Sequence, residues 1–289
     1  MLYFAFAGIL QEPQMPPLPQ SVDRDSSNTV VSRRSRSPLK FFLLVFALSI
    51  PFWLAGAVTT YQLLPGLPVS SLMFFCPATA ALIFVYRENK TAGVTELLKR
   101  SFDYKRIRAK IWYAPIILLM PGVMVLSYGL MRLMGVPLPT PQFPVPATLG
   151  MLLAFFIAAL GEELGWSGYV IDPMQDRRGA LQASMLLGLV WAAWHIVPYL
   201  QAHRSLAWIA WQCLFTVAAR VLIVWLYNNT GKSVFAAALF HTMSNLSWQL
   251  FPIHGSDYDP RITGLIVTFA ASTVAVVWGP RTLARYRNV

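Results

Sequence analysis

About eight stretches of this chain, 41–64, 69–86, 111–134, 147–171, 180–200, 206–228, 233–251 and 262–280, are apolar nearly throughout and close to the ~20 residues a helix needs to cross a bilayer core. Lipid offers no partner to backbone N–H and C=O groups, so an isolated run of this kind has to satisfy them internally as a helix rather than as an unpaired strand. The pattern predicts an all-α polytopic membrane protein of about eight transmembrane helices. Composition agrees, since only 12% of residues are charged and 56% are hydrophobic, against about 25% charged in soluble domains.

The segment from Gln11 to Pro38 is rich in Pro, Ser, Asp and Arg and buries too little apolar surface to fold. The apolar residues 1–10 are too short to span. Residues 1–39 therefore read as a disordered cytoplasmic tail, and 40–289 as the transmembrane domain. The net charge of +11 is spread between the apolar runs rather than along one solvated face, which makes a lipid bilayer the partner and not nucleic acid. Counting crossings puts the basic residues of 24–40, 87–110, 177–178, 232 and 281–287 on one side, and only Arg132, Arg204 and Arg261 on the other. Basic connections stay in the cytoplasm, so a multi-pass protein of the cell membrane with both termini cytoplasmic is expected, its 87–110 stretch lying at the anionic inner surface. Cys76 and Cys213 lie in separate apolar segments and form neither a disulfide framework nor a paired zinc knuckle.

Of the 12 acidic residues, only Glu162 and Glu163 fall well inside a span. A carboxylate at that depth costs at least about 2.5 kcal/mol, so an adjacent pair marks a functional site. His195 lies in the fifth run and His241 in the seventh, with Asn245 one turn further along the same helical face. Counted inward from the basic side, these groups lie roughly 13 Å (Glu162), 21 Å (His195), 12 Å (His241) and 18 Å (Asn245) deep. Three helices thus bring carboxylates, imidazoles and a carboxamide to one layer, as an intramembrane polar cavity requires.

These groups suit hydrolysis. Glu162 with His195 can hold and deprotonate a water, and His241 and Asn245 can donate hydrogen bonds to the oxyanion formed on a peptide carbonyl. Glu162, His195 and His241 can also be read as a zinc set, although HExxH is absent and no local ligand spacing supports it. As a relay, the same carboxylates would serve a proton-coupled transporter, but no internal repeat accompanies them. Trp191, Trp194, Trp208, Trp211 and Trp225 read as packing or interface residues. Arg220, inside the sixth span, requires either a route to the cytoplasmic surface or a buried carboxylate partner.

Three motifs in order resemble those of the CPBP family, which includes the CAAX prenyl endopeptidases of the Rce type and the bacteriocin self-immunity (Abi) proteins. They are Glu162-Glu163-Leu164-Gly165-Trp166-Ser167-Gly168-Tyr169, similar to EExxxR; Trp191-Ala192-Ala193-Trp194-His195, similar to an aromatic-xxx-His motif; and His241-Thr242-Met243-Ser244-Asn245, similar to HxxxN. The resemblance covers roughly 145–250. It implies an eight-helix intramembrane protease cleaving a peptide or membrane-tethered, prenylated-type protein near its C-terminus. Glu162 and His195 would activate water; His241 and Asn245 would form the oxyanion site. The family's motif arginine is Ser167 here, which implies that Glu163 lacks its usual counterion unless Arg220, Arg177 or Arg178 replaces it. On that reading the chain is a weakened protease or a non-catalytic immunity or binding protein, and Ser167→Arg raises activity.

Overall fold

The computed structural model describes residues 36–252, 255 and 257–284. The expected tail therefore lies outside the described residues up to position 35. Helix begins before residue 40: Ser37 caps α1 (Pro38–Val58), and Pro38 takes the first turn, where a missing N–H goes unneeded. The chain continues as α2 (Phe75–Lys99), α3 (Tyr113–Leu133), α4 (Val145–Gly165), α5 (Ile171–Arg178), α6 (Ala180–Gln201), α7 (Leu206–Asn229), α8 (Val234–Leu250) and α9 (Pro260–Trp278). The architecture is all-α and polytopic, with a two-stranded hairpin, β1 (Gln62–Leu64) and β2 (Leu67–Pro68), as its sheet among the described residues.

Three boundaries differ from the apolar runs. The first run stops at Val58 instead of 64, because Pro65 cannot continue a helix and Gly66, at φ +80°, turns the chain back into the hairpin. The second run continues beyond residue 86 to Lys99, with a break at Lys90. The fourth does not end at 171 but widens into a π turn over Trp166–Val170 before α5.

Of the about eight expected spans, seven helical segments among the described residues are long and apolar enough to cross a membrane by themselves. The missing one is α8, whose 17 residues give about 25 Å of helix against a core of about 30 Å. Its ends still lie at opposite faces. Ser233, its N-cap, bonds Asp103 beyond α2, and Trp248, near its C-terminus, lies beside the hairpin's Gly66. A short helix is tolerated here because protein encloses it: α8 packs against α3, α4 and α7 and buries Ala236, Ala237, Phe240 and His241.

Burial is inverted as lipid demands. Leu149, Leu153 and Ile157 line the outer face of α4 at 60%, 63% and 49% exposure, while α7, clasped by α6 and α9, buries Arg220 through Tyr227 without a break. On its inner side α4 presses against α2 through Gly161 and Gly165, a small-xxx-small pair of the kind that lets membrane helices approach closely. A Cβ at Gly165 would lie 2.5 Å from the Pro77 carbonyl oxygen, and one at Gly161 would lie 2.8 Å from that of Phe74. Backbone cannot yield as a flexible side chain can. Gly165→Ala is therefore expected to cost about 1–3 kcal/mol, visible as a lower melting temperature in detergent; an unchanged melt would mean that the two helices are not in contact here.

Candidate active site

Glu162 and Glu163 are neighbours in sequence, but consecutive helical side chains point about 100° apart, and the two carboxylates meet different surroundings. Glu162 is 5% exposed. Its Oε2 accepts hydrogen bonds from Trp191 Nε1 at 2.6 Å and Trp166 Nε1 at 3.3 Å, and its Oε1 bonds none of the described residues. Glu163 is fully buried. Its Oε2 pairs with Arg220 Nη1 at 2.8 Å and accepts from the Ser167 hydroxyl, while its Oε1 faces His241 Nδ1 at 3.1 Å. Both Trp166 and Ser167 belong to the π turn, an irregularity that often accompanies functional sites.

Of the three arginines that could replace the motif arginine, Arg220 is the one that pairs with Glu163. The carboxylate keeps a guanidinium partner, supplied by α7 from 57 residues further along the chain. Arg220 does not reach the surface; it is fully buried, and its guanidinium carbon lies 4.1 Å from the centroid of the Trp191 ring, a cation–π contact.

Trp191 is likewise more than packing. Its indole N–H holds Glu162, and its backbone carbonyl receives His195 Nδ1–H at 2.9 Å. Its ring meets His241 edge-on at 5.1 Å and carries Arg220 on its face. The signal was available in its place one turn before His195, but not the contact, which spans 29 residues. A charge-assisted hydrogen bond of this type is worth about 1.5–3 kcal/mol, so Trp191→Phe is expected to lower kcat about 10- to 100-fold with a smaller change in KM. A wild-type kcat in a peptide-cleavage assay would show that the indole only packs.

A carbonyl accepts and cannot donate, so the bond to Trp191 puts a proton on His195 Nδ1 and leaves the Nε2 lone pair as the ring's other polar atom. The same logic puts a proton on His241 Nδ1, facing Glu163. The Asn245 carboxamide makes no hydrogen bond to any described residue, although the Asn245 backbone belongs to α8. Glu162, His195, His241 and Asn245 all line one cavity of about 630 Å³. Glu163 does not; with Arg220 and Ser167 it forms a brace behind the wall. Among the described residues no group of three His, Cys, Asp or Glu side chains is arranged to hold a metal ion.

The carboxylate, imidazoles and carboxamide thus share one polar cavity within a helical membrane bundle. Residues 144–247, which carry every one of these groups, match the family model of the Rce1-like type II CAAX prenyl endopeptidases. The chain is also 26% identical over 272 residues to CAAX prenyl protease 2 of Methanococcus maripaludis, across 85% of this chain and 96% of that protein. In its motif-bearing region the chain is thus similar to the type II CAAX prenyl endopeptidases, and over most of its length to a protein named as a CAAX prenyl protease.

Proposed function

We propose that the chain is an endopeptidase that hydrolyses a peptide bond of a membrane-associated or prenylated-type substrate with water as the nucleophile. The observation that carries this reading is the convergence of Glu162, His195, His241 and Asn245 from three helices on one cavity. A water between Glu162 Oε1 and His195 Nε2 attacks the carbonyl carbon as Glu162 takes its proton. The oxyanion is held by Asn245 Nδ2–H and by His241 Nε2–H, which requires His241 to carry protons on both ring nitrogens. Collapse of the tetrahedral intermediate breaks the C–N bond, the proton on Glu162 passes to the leaving amine, and a carboxylate and an amine result. His195, held by the Trp191 carbonyl, fixes the water. The binding-protein alternative loses its motivation once Glu163 has Arg220 as partner.

The membrane orientation belongs to the same proposal: basic residues and both termini in the cytoplasm, by the distribution of Lys and Arg. The test is purified protein in nanodiscs with a panel of C-terminal peptides, farnesylated and unmodified, analysed by mass spectrometry. Paired fragments from wild type support the endopeptidase. An inert wild type that nevertheless binds a peptide supports the non-catalytic binder, and pH-driven flux in liposomes without cleavage supports a transporter.

A further inference from the structure

Among the residues that line the cavity, Arg204, between α6 and α7, is the sole Lys or Arg, as Glu162 is the sole acid. Other arginines find oxygen. Arg132 donates to the Leu138 carbonyl at 3.3 Å, Arg261 pairs with Asp259 at 2.7 Å, and Arg220 pairs with Glu163 at 2.8 Å. The Arg204 guanidinium makes no ion pair or hydrogen bond to a described residue; it lies instead over the Trp208 ring, its central carbon 4.9 Å from the centroid. An arginine that only anchors a helix end extends its head away from the protein towards water. Arg204 is partly buried and turned back against the β1–β2 hairpin, where a Cβ on Gly66 would lie 3.1 Å from its Nη2. Stacking occupies the face of a guanidinium and leaves its in-plane N–H donors free. Such a fork matches the two oxygens of a carboxylate.

The spacing from the reacting groups fits a chain terminus. The Arg204 N–H donates to the Tyr199 carbonyl at 3.1 Å, and Tyr199 lies one turn beyond His195 on α6. The Arg204 backbone is therefore about two helical turns, roughly 11 Å, from the level of His195. An extended peptide covers that distance in about three residues at about 3.3–3.6 Å each. Pro198 and Tyr199 line the wall along the way, which suits apolar side chains in those residues. The two charges of the cavity also set a direction: a terminal carboxylate is drawn to Arg204 and repelled by Glu162, so the C-terminus points towards Arg204.

We propose that Arg204 is a specificity-determining residue that receives the free α-carboxylate of the substrate, fixing the cut a short distance from the C-terminus and discriminating against amidated ends and internal segments. This rests on the endopeptidase reading above and names the group by which that site selects its substrate. Arg204 is a binding residue only; it lies too far from the scissile carbonyl to act on it.

Binding and turnover test it separately. The full chain with Glu162→Gln, which spares the peptide, is titrated in phosphatidylcholine nanodiscs with a fluorescent peptide whose farnesylated cysteine is followed by apolar residues. The peptide is supplied as the free acid, as the C-terminal amide and as an amide ending in Asp. The acid is expected to bind about 10- to 100-fold more tightly than either amide, the range of a charge-assisted hydrogen bond. Adding Arg204→Gln should bring the acid to the amide's level and leave the amide unchanged, and Arg204→Lys should recover part of the preference, keeping the charge without the fork. With Glu162 intact, Arg204→Gln should raise KM for the acid by the same factor at nearly constant kcat. Equal binding of acid and amide, no binding of either, a preference that survives Arg204→Gln, or equal weakening of both peptides overturns the proposal. So does an Asp-ending amide that binds as tightly as the acid, since a side-chain carboxylate would then be the group recognised. If the Arg204-dependent preference is present but wild type cuts no peptide, the endopeptidase reading fails and the carboxylate site stands; if wild type cuts acid and amide alike, the reverse holds.

Discussion

Glu162→Gln is expected to lower kcat/KM for peptide cleavage by about 10²–10⁴-fold, the range a positioned general base contributes, while the protein inserts and melts as wild type does. The substitution keeps the shape and an oxygen able to accept from Trp191 and Trp166, whose indoles hold Oε2 at 2.6 and 3.3 Å. What it removes is the proton-accepting carboxylate oxygen that reaches the cavity. Because water has to be deprotonated during attack and not during binding, the loss should fall on kcat with KM little changed. A fall in KM-dependent binding alone would make Glu162 a substrate contact, and wild-type turnover would remove it from the chemistry.

Arg220→Ala is expected to destabilise the fold by about 3–5 kcal/mol, because it leaves the Glu163 charge buried without its cation. The loss should appear as reduced membrane accumulation and a markedly lower melting temperature in detergent. Glu163→Gln in the same background should restore much of that loss, since the uncompensated charge then disappears; no recovery would mean that Arg220 acts through packing on Trp191 rather than through its ion pair. The same geometry reverses the expectation for Ser167→Arg. Ser167 is 2% exposed and its hydroxyl already bonds Glu163, and Arg220 occupies the counterion's place. A second guanidinium would be overpacked and unpaired, so Ser167→Arg should lower both stability and activity.

What could be read from the chain divides along physical lines. The helices were legible because lipid forces long apolar runs into helix, and a shared layer for Glu162, His195, His241 and Asn245 was suggested by a fixed rise per residue, in keeping with the one cavity they line. The hairpin after α1 was hidden inside an apolar run, where hydropathy does not distinguish Leu63 and Leu64 in a strand from the same residues in a helix. The shortness of α8 was hidden too, since enclosure by neighbouring helices is a tertiary property. The contrast between the two glutamates, one facing the cavity and one braced behind it, depends on partners 29 and 57 residues away. Arg220 could be recognised as needing a carboxylate, yet its choice of Glu163, and the role of Trp191 in joining Glu162, His195, His241 and Arg220, are products of the packed bundle alone.

Water as the nucleophile is the step on which the proposed chemistry turns, because Ser244 and Thr216 also line the cavity and a hydroxyl attack would leave an acyl group on the protein. Intact-protein mass spectrometry during the first turnover, with substrate in excess in ¹⁸O-labelled water, separates the two. Direct hydrolysis predicts an unmodified protein and one ¹⁸O in the new carboxylate of the released fragment; a transient mass increase equal to the acyl fragment would contradict it.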